Sequence, residues 1–169
     1  MKDQTEVKAI LAELEELYPD AKPALQYRTP YELLVAVVLS AQCTDERVNK
    51  VTAELFKEYN TPAAMCALSQ EELEKKIYSC GFYRSKAAHI LSASRAILAK
   101  FGGEVPETFE DLCSLAGVGQ KTANVVSAVW FHKDAIAVDT HVFRVSNRLG
   151  LAHANTPEKT ERDLMRAIP

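Results

Sequence analysis

The sequence contains no run of about 18 apolar residues, so no helix able to span a bilayer is expected. Its first residues, Met1-Lys2-Asp3-Gln4-Thr5, lack the apolar stretch of a secretory signal. The four cysteines, Cys43, Cys66, Cys80 and Cys113, are scattered, and no C-x-x-C occurs. Neither a zinc site nor a disulfide framework is indicated; free, partly buried thiols in a reducing compartment fit best. Alternating strand patterns, internal repeats and low-complexity linkers are also missing. No single sign of charge dominates: the net charge is −3, which argues weakly against a nucleic-acid partner. Net charge sets only the far field, however, and a local stripe of cations can still hold a duplex. Acidic residues crowd Glu13 to Glu16 and Glu71 to Glu74, whereas Gln120 to Arg148 carries Lys121, Lys133, Arg144 and Arg148 against Asp134 and Asp139.

What is present reads as helix throughout. With 169 residues, 47% of them apolar, the chain can build one domain or two small lobes. Apolar residues at helical spacing predict an amphipathic helix over Glu6 to Leu17, stopped by Pro19. Thr29-Pro30-Tyr31-Glu32 is a helix start, and the segment behind it, Leu33 to Ser40, is apolar on nearly every side, which places it at the centre of a core. Thr44-Asp45, Thr61-Pro62 and Ser69-Gln70-Glu71-Glu72 open three more helices. A longer one is predicted over Ser85 to Phe101, with Ala87, Ile90, Leu91, Ile97 and Leu98 facing inward, ended by Gly102-Gly103. After an apolar connector at Ala135 to Val138, helices are expected over Val142 to Leu149 and from Thr156-Pro157 to Ala167.

The chain is organised around Leu115-Ala116-Gly117-Val118-Gly119-Gln120-Lys121-Thr122-Ala123. Thr108 can cap the short helix before it, and Asp111 can reach back to complete a capping box. Gln120 to Phe131 continues as helix. The glycines allow a tight turn and leave amides bare at a positive helix end, a place for an anion such as a backbone phosphate. Lys121 stands second after the hairpin, where a cation is unfavourable and the neutral amine a nucleophile needs is favoured. A solvated helix-start lysine is the plain alternative. Asp139, in Val138-Asp139-Thr140-His141, reads as an N-cap and also as a candidate base.

Leu39-Ser40-Ala41-Gln42-Cys43-Thr44-Asp45, the Gly117 to Val126 stretch and Val138-Asp139-Thr140-His141-Val142-Phe143-Arg144-Val145 together resemble the endonuclease III family. These are helix-hairpin-helix DNA glycosylases with abasic-site lyase activity. The common hairpin form is L-P-G-V-G; Ala116 replaces the proline here. The resemblance implies an all-α, two-lobed fold. Residues 1–24 would belong to the second lobe, 25–133 would form the helical domain with the hairpin at about 108–131, and 134–169 would return to the second lobe, incomplete. It implies a damaged or abasic site in duplex DNA as partner, and excision of oxidised pyrimidines. Lys121 would be the nucleophile and Asp139 the catalytic carboxylate. Gln42 and Phe82 would enter the duplex, and Gly117, Val118, Gly119, Lys121, Thr122, His141 and Arg144 would contact DNA.

Family members continue beyond the equivalent of Pro169 into a four-cysteine loop that holds a 4Fe–4S cluster. The cysteines in this chain lack that spacing, so no cofactor is expected from it. Leu11, Leu14 and Leu17 are expected to be poorly covered. A monomer in the bacterial cytoplasm, associated with the nucleoid and not with membrane, completes the expectation. Competing readings are a helix-hairpin-helix protein that grips DNA without turnover, an adenine mismatch glycosylase relative, which the lysine at 121 disfavours, and a helical interaction protein with no nucleic-acid role.

Overall fold

The computed structural model describes residues 1–169, and its regular elements are all helical. They are α1 (Gln4–Leu17), α2 (Pro30–Leu39), α3 (Asp45–Leu55), α4 (Pro62–Met65), α5 (Gln70–Ile77), a 3₁₀ turn (Tyr78–Cys80), α6 (Tyr83–Lys100), α7 (Phe109–Cys113), α8 (Gln120–Val129), α9 (Thr140–Leu149) and α10 (Pro157–Ala167). None is long and apolar enough to cross a membrane.

The chain divides into two compact units. Pro23–Lys133 forms one of them, holding α2 to α8. Met1–Lys22 joins Asp134–Pro169 to form the other, holding α1, α9 and α10.

Helix α2 is the axis of the larger unit. Thr29 accepts a hydrogen bond from the Glu32 N–H at 3.1 Å, and Pro30 presets the first turn. Every residue from Tyr31 to Leu39 is buried. Burying each of its large apolar side chains contributes about 1.5–3 kcal/mol. Helices α3, α6 and α8 pack against α2, and Val48 and Leu55 of α3, Leu73 and Ile77 of α5, Ala87, Ile90, Leu91 and Ile97 of α6, and Ala123 and Val126 of α8 share one core with it. Glu32 is buried as well: one oxygen accepts the Arg28 N–H at 2.7 Å and the other lies 3.7 Å from the Arg28 guanidinium.

Several boundaries differ from the sequence expectation, each for a local reason. Helix α1 starts two residues early because Asp3, not a later residue, caps it, with Glu6 closing the capping box. Helix α6 begins at Tyr83 because Phe82 takes a left-handed turn at φ 45°. Leu98 is 40% exposed, not inward: it lies about 100° round the helix from the fully buried Ile97. The Asp111 N–H donates to the Thr108 hydroxyl oxygen, but the reciprocal side-chain bond is not made, so the capping box is half complete.

The smaller unit has its own core of Val7, Val138, Leu151, Ala152 and Leu164. Leu11 packs partly against it, Leu14 is half-buried and Leu17 is exposed.

Candidate active site and nucleic-acid interface

The hairpin between α7 and α8 is anchored from below. Leu115 and Val118 are buried in the larger core, and the Val118 N–H donates to the Leu115 carbonyl at 3.2 Å. Val118, one of the expected DNA contacts, has both its side chain and its amide turned to the protein, which fixes the hairpin. The two glycines beside it serve different purposes. Gly117 sits at φ 76°, and a Cβ there would come 2.8 Å from the His89 Cβ. Gly119 is extended, at φ −93° and ψ −174°, a conformation open to any residue, and nothing lies within 4 Å of where its Cβ would be. Gly117 is therefore required by the chain's own geometry, whereas Gly119 leaves open space in front of α8.

Gly119 is the N-cap of α8 and supplies no side-chain cap. The first intrahelical bond runs from the Ala123 N–H to the Gly119 carbonyl at 2.9 Å. The amides ahead of it have no partner within the helix and point along the positive end of its dipole. Lys121 is the second residue of α8 and is exposed; Thr122 behind it is half-buried. The first turn of α8 contains no acidic residue.

Gln42 and Phe82 are both exposed, and both have left-handed backbone, at φ 52° and 45°. Gln42 follows the end of α2, in a turn closed by the Cys43 N–H and the Ser40 carbonyl at 3.1 Å. Phe82, 65% exposed, is not a core aromatic. The two line one cavity of about 310 Å³ together with Val38, Lys86, His89 and Gly117. Lys86 is the residue the sequence reading missed. Only 5% exposed, it donates from Nζ to the carbonyls of Leu39 at 2.8 Å, Ala41 at 2.7 Å and Cys80 at 2.9 Å. Its signal was available: Lys86 stands in line with Ile90, Ala93 and Ile97 on the buried face of α6.

In the smaller unit, Asp139 caps α9, its Oδ1 accepting the Val142 N–H at 2.8 Å. Oδ2 takes no part in that bond. On the same helix His141 and Arg144 are exposed and joined by a hydrogen bond from the guanidinium to the imidazole Nδ1 at 3.2 Å. Gln42, Phe82, the hairpin and Lys121 thus belong to the larger unit, and Asp139, His141 and Arg144 to the smaller.

Residues 35–169 match the HhH-GPD superfamily base excision DNA repair protein family. The chain belongs to that family. Within it, the endonuclease III of Synechocystis sp. is 53% identical over 161 residues, which are 95% of this chain and 74% of the relative. The endonuclease III of Bacillus subtilis is 46% identical over 165 residues, 97% of this chain and 75% of the relative. Among solved structures, a trapped endonuclease III–DNA covalent intermediate, the estranged-adenine complex, superposes with a TM-score of 0.94 at 48% identity. That match covers all of this chain and 80% of the other. The HhH-GPD assignment makes the chain a DNA glycosylase of base-excision repair with the all-helical fold of endonuclease III.

The four cysteines do not form a ligand set for the metal cluster that endonuclease III implies. No three His, Cys, Asp or Glu side chains converge to hold an ion. Cys43 and Cys80 neighbour each other, and Cys66 and Cys113 sit at the ends of α4 and α7. Burial chiefly, and the Cys43 thiol next, push the Cys80 thiol up to about 11. These residues do not fit such a group.

Proposed function

We propose that this chain excises oxidised pyrimidines from duplex DNA and nicks the strand at the resulting abasic site. The observation that carries the reading is the exposed Lys121 in the first turn of α8, directly behind the Gly117–Gly119 hairpin, in a chain 48% identical to an endonuclease III trapped covalently on DNA.

The hairpin amides take a backbone phosphate, holding the sugar of the damaged nucleotide near Lys121. The base leaves the stack at a cost of a few kcal/mol, less where it is damaged. Gln42 and Phe82 fill the gap, Phe82 by stacking on the remaining bases. The neutral Lys121 amine bonds to C1′ while the C1′–N bond to the base breaks and the base takes up a proton. The sugar ring opens to an imine. Loss of a 2′ proton then expels the 3′ phosphate by cleavage of the C3′–O bond. Water hydrolyses the imine and restores the lysine. Asp139 assists base departure and the proton transfers through the oxygen not used in capping α9.

Borohydride reduction of the imine tests this. With duplex DNA carrying thymine glycol, the wild-type chain is expected to become covalently linked to the strand, and Lys121→Ala to give no adduct. Equal trapping by the variant removes Lys121 from the chemistry. Binding without adduct or nick in the wild type leaves a DNA-gripping protein without turnover.

A further inference from the structure

The activity described above makes no use of Lys86, yet this is the buried cation of the larger unit, 5% exposed. An ammonium carries three donors. All three are engaged by backbone carbonyls, those of Leu39, Ala41 and Cys80, at 2.7–2.9 Å. A buried charge is tolerated only when its hydrogen-bonding capacity is filled. The Leu39 carbonyl also lies at the C-terminus of α2, where the helix dipole favours a cation.

These acceptors come from two separate segments. Leu39 and Ala41 lead into Gln42, and Cys80 leads through Gly81 into Phe82. Each segment then turns through a left-handed non-glycine residue, which persists only where the surroundings over-determine it. Gln42 and Phe82 emerge on the same cavity, which Lys86 also lines. Neither segment is joined to the other by any of the chain's backbone hydrogen bonds. The ammonium fastens them through their main-chain carbonyls, beside a thiol–thiol contact between Cys43 and Cys80.

We propose that Lys86 is a positioning residue for lesion recognition: by tying the loop before Gln42 to the turn before Phe82, it presents the two side chains together, ready to enter the duplex. This rests on the reading of Gln42 and Phe82 as inserted residues. Preorganisation raises affinity by reducing the ordering required on binding. The gain should therefore appear on duplexes with a gap to fill and not on intact ones, where phosphate contacts dominate.

The test uses the full chain and two duplexes, one intact and one carrying a tetrahydrofuran abasic analogue opposite 2-aminopurine, whose fluorescence reports insertion. The wild type is expected to prefer the analogue duplex and to change the fluorescence on binding. Lys86→Met, which keeps the length but not the donors, is expected to lose about tenfold in that preference, the equivalent of one or two hydrogen bonds. Affinity for intact duplex should stay within about twofold. Lys86→Arg should restore most of the preference, and Lys86→Gln, shorter and with two donors, should fall between. In a Gln42→Ala, Phe82→Ala background, Lys86→Met should change nothing further.

An unaltered preference in Lys86→Met overturns the proposal. So does a loss that persists in the doubly substituted background, or one matched by an equal loss on intact duplex, since either marks a general structural defect. If Lys86→Met does not fold, Lys86→Gln and Lys86→Arg carry the same comparison. Absence of any preference in the wild type would instead defeat the underlying repair reading, before a variant is compared.

Discussion

An alanine at position 117 meets two obstacles that an alanine at 119 does not. The first is backbone: φ is 76°, and an L-residue held there costs roughly 1–2 kcal/mol. The second is contact: the new Cβ would stand 2.8 Å from the His89 Cβ and 3.1 Å from its Cγ. His89 cannot simply rotate away, because the Cβ is fixed to α6, whose neighbouring residues Ile90 and Leu91 are buried. The hairpin must lift instead, and overpacking of this kind costs typically 1–3 kcal/mol. The sum is about 2–5 kcal/mol, which for a chain of this length lowers Tm by roughly 5–15 °C. Gly119→Ala has ordinary dihedrals and open space, and its cost is that of a poorer N-cap, at most about 1 kcal/mol, so its Tm should fall by no more than about 2–4 °C. Its effect should fall on the ligand: a methyl group in front of the α8 amides weakens duplex binding and flattens the salt dependence, since phosphate contacts set that slope. Thermal melts and binding titrations across a salt series measure both. Gly117→Ala melting with the wild type would refute the geometric argument. Equal destabilisation by Gly119→Ala would refute the division of labour between the two glycines.

Asp139 has a cap role and a proposed chemical role that two substitutions separate. Asp139→Asn keeps an acceptor for the Val142 N–H and should preserve Tm while greatly reducing base excision; Asp139→Ala should lose both, with about 0.5–2 kcal/mol of stability gone. Full excision activity in Asp139→Asn would confine the residue to capping. The pH dependence of stability follows from the buried acids. Burial raises the Cys80 thiol from 9.0 to about 11, and it also raises the Tyr31 hydroxyl and the Cys66 and Cys113 thiols. Above pH 9 the unfolded chain releases the Cys80 proton before the folded one does, so the Cys80 contribution is complete below pH 9 and is lost as pH rises through about 11; the other three raised groups act in the same direction. Lys86, lowered by desolvation, acts in the opposite direction but is one group against several. Urea midpoints should hold from pH 7 to 8.5 and fall by pH 10.5; a rising midpoint would contradict the assignment.

Helix identity was legible because start signals are local chemistry. The Thr29, Thr44, Thr61, Ser69, Thr108, Asp139 and Thr156 caps all form in the structure. The hairpin was legible too, although one reason served for both glycines in the sequence where the structure shows two. The turns at Gln42, Phe82 and His132 were not legible as left-handed, because no glycine marks them and tertiary contacts hold them. At Gln42 and Phe82 those contacts include the Lys86 bonds to residues 39, 41 and 80, the first two of which are distant in sequence from position 86. A lysine among alanines on a helix looks like an ordinary solvated residue until its place on the apolar stripe is noticed.

The smaller unit is assembled from both ends of the chain. During synthesis α1 leaves the ribosome first, yet Val7 is covered only once Val138, Leu151 and Leu164 have been made. At about 5–20 residues per second that interval is roughly 10–30 s. Residues 23–133 are completed within it, and they hold everything their own core requires. The larger unit can therefore fold before the smaller one, with the apolar stripe of α1 uncovered until α9 and α10 have emerged.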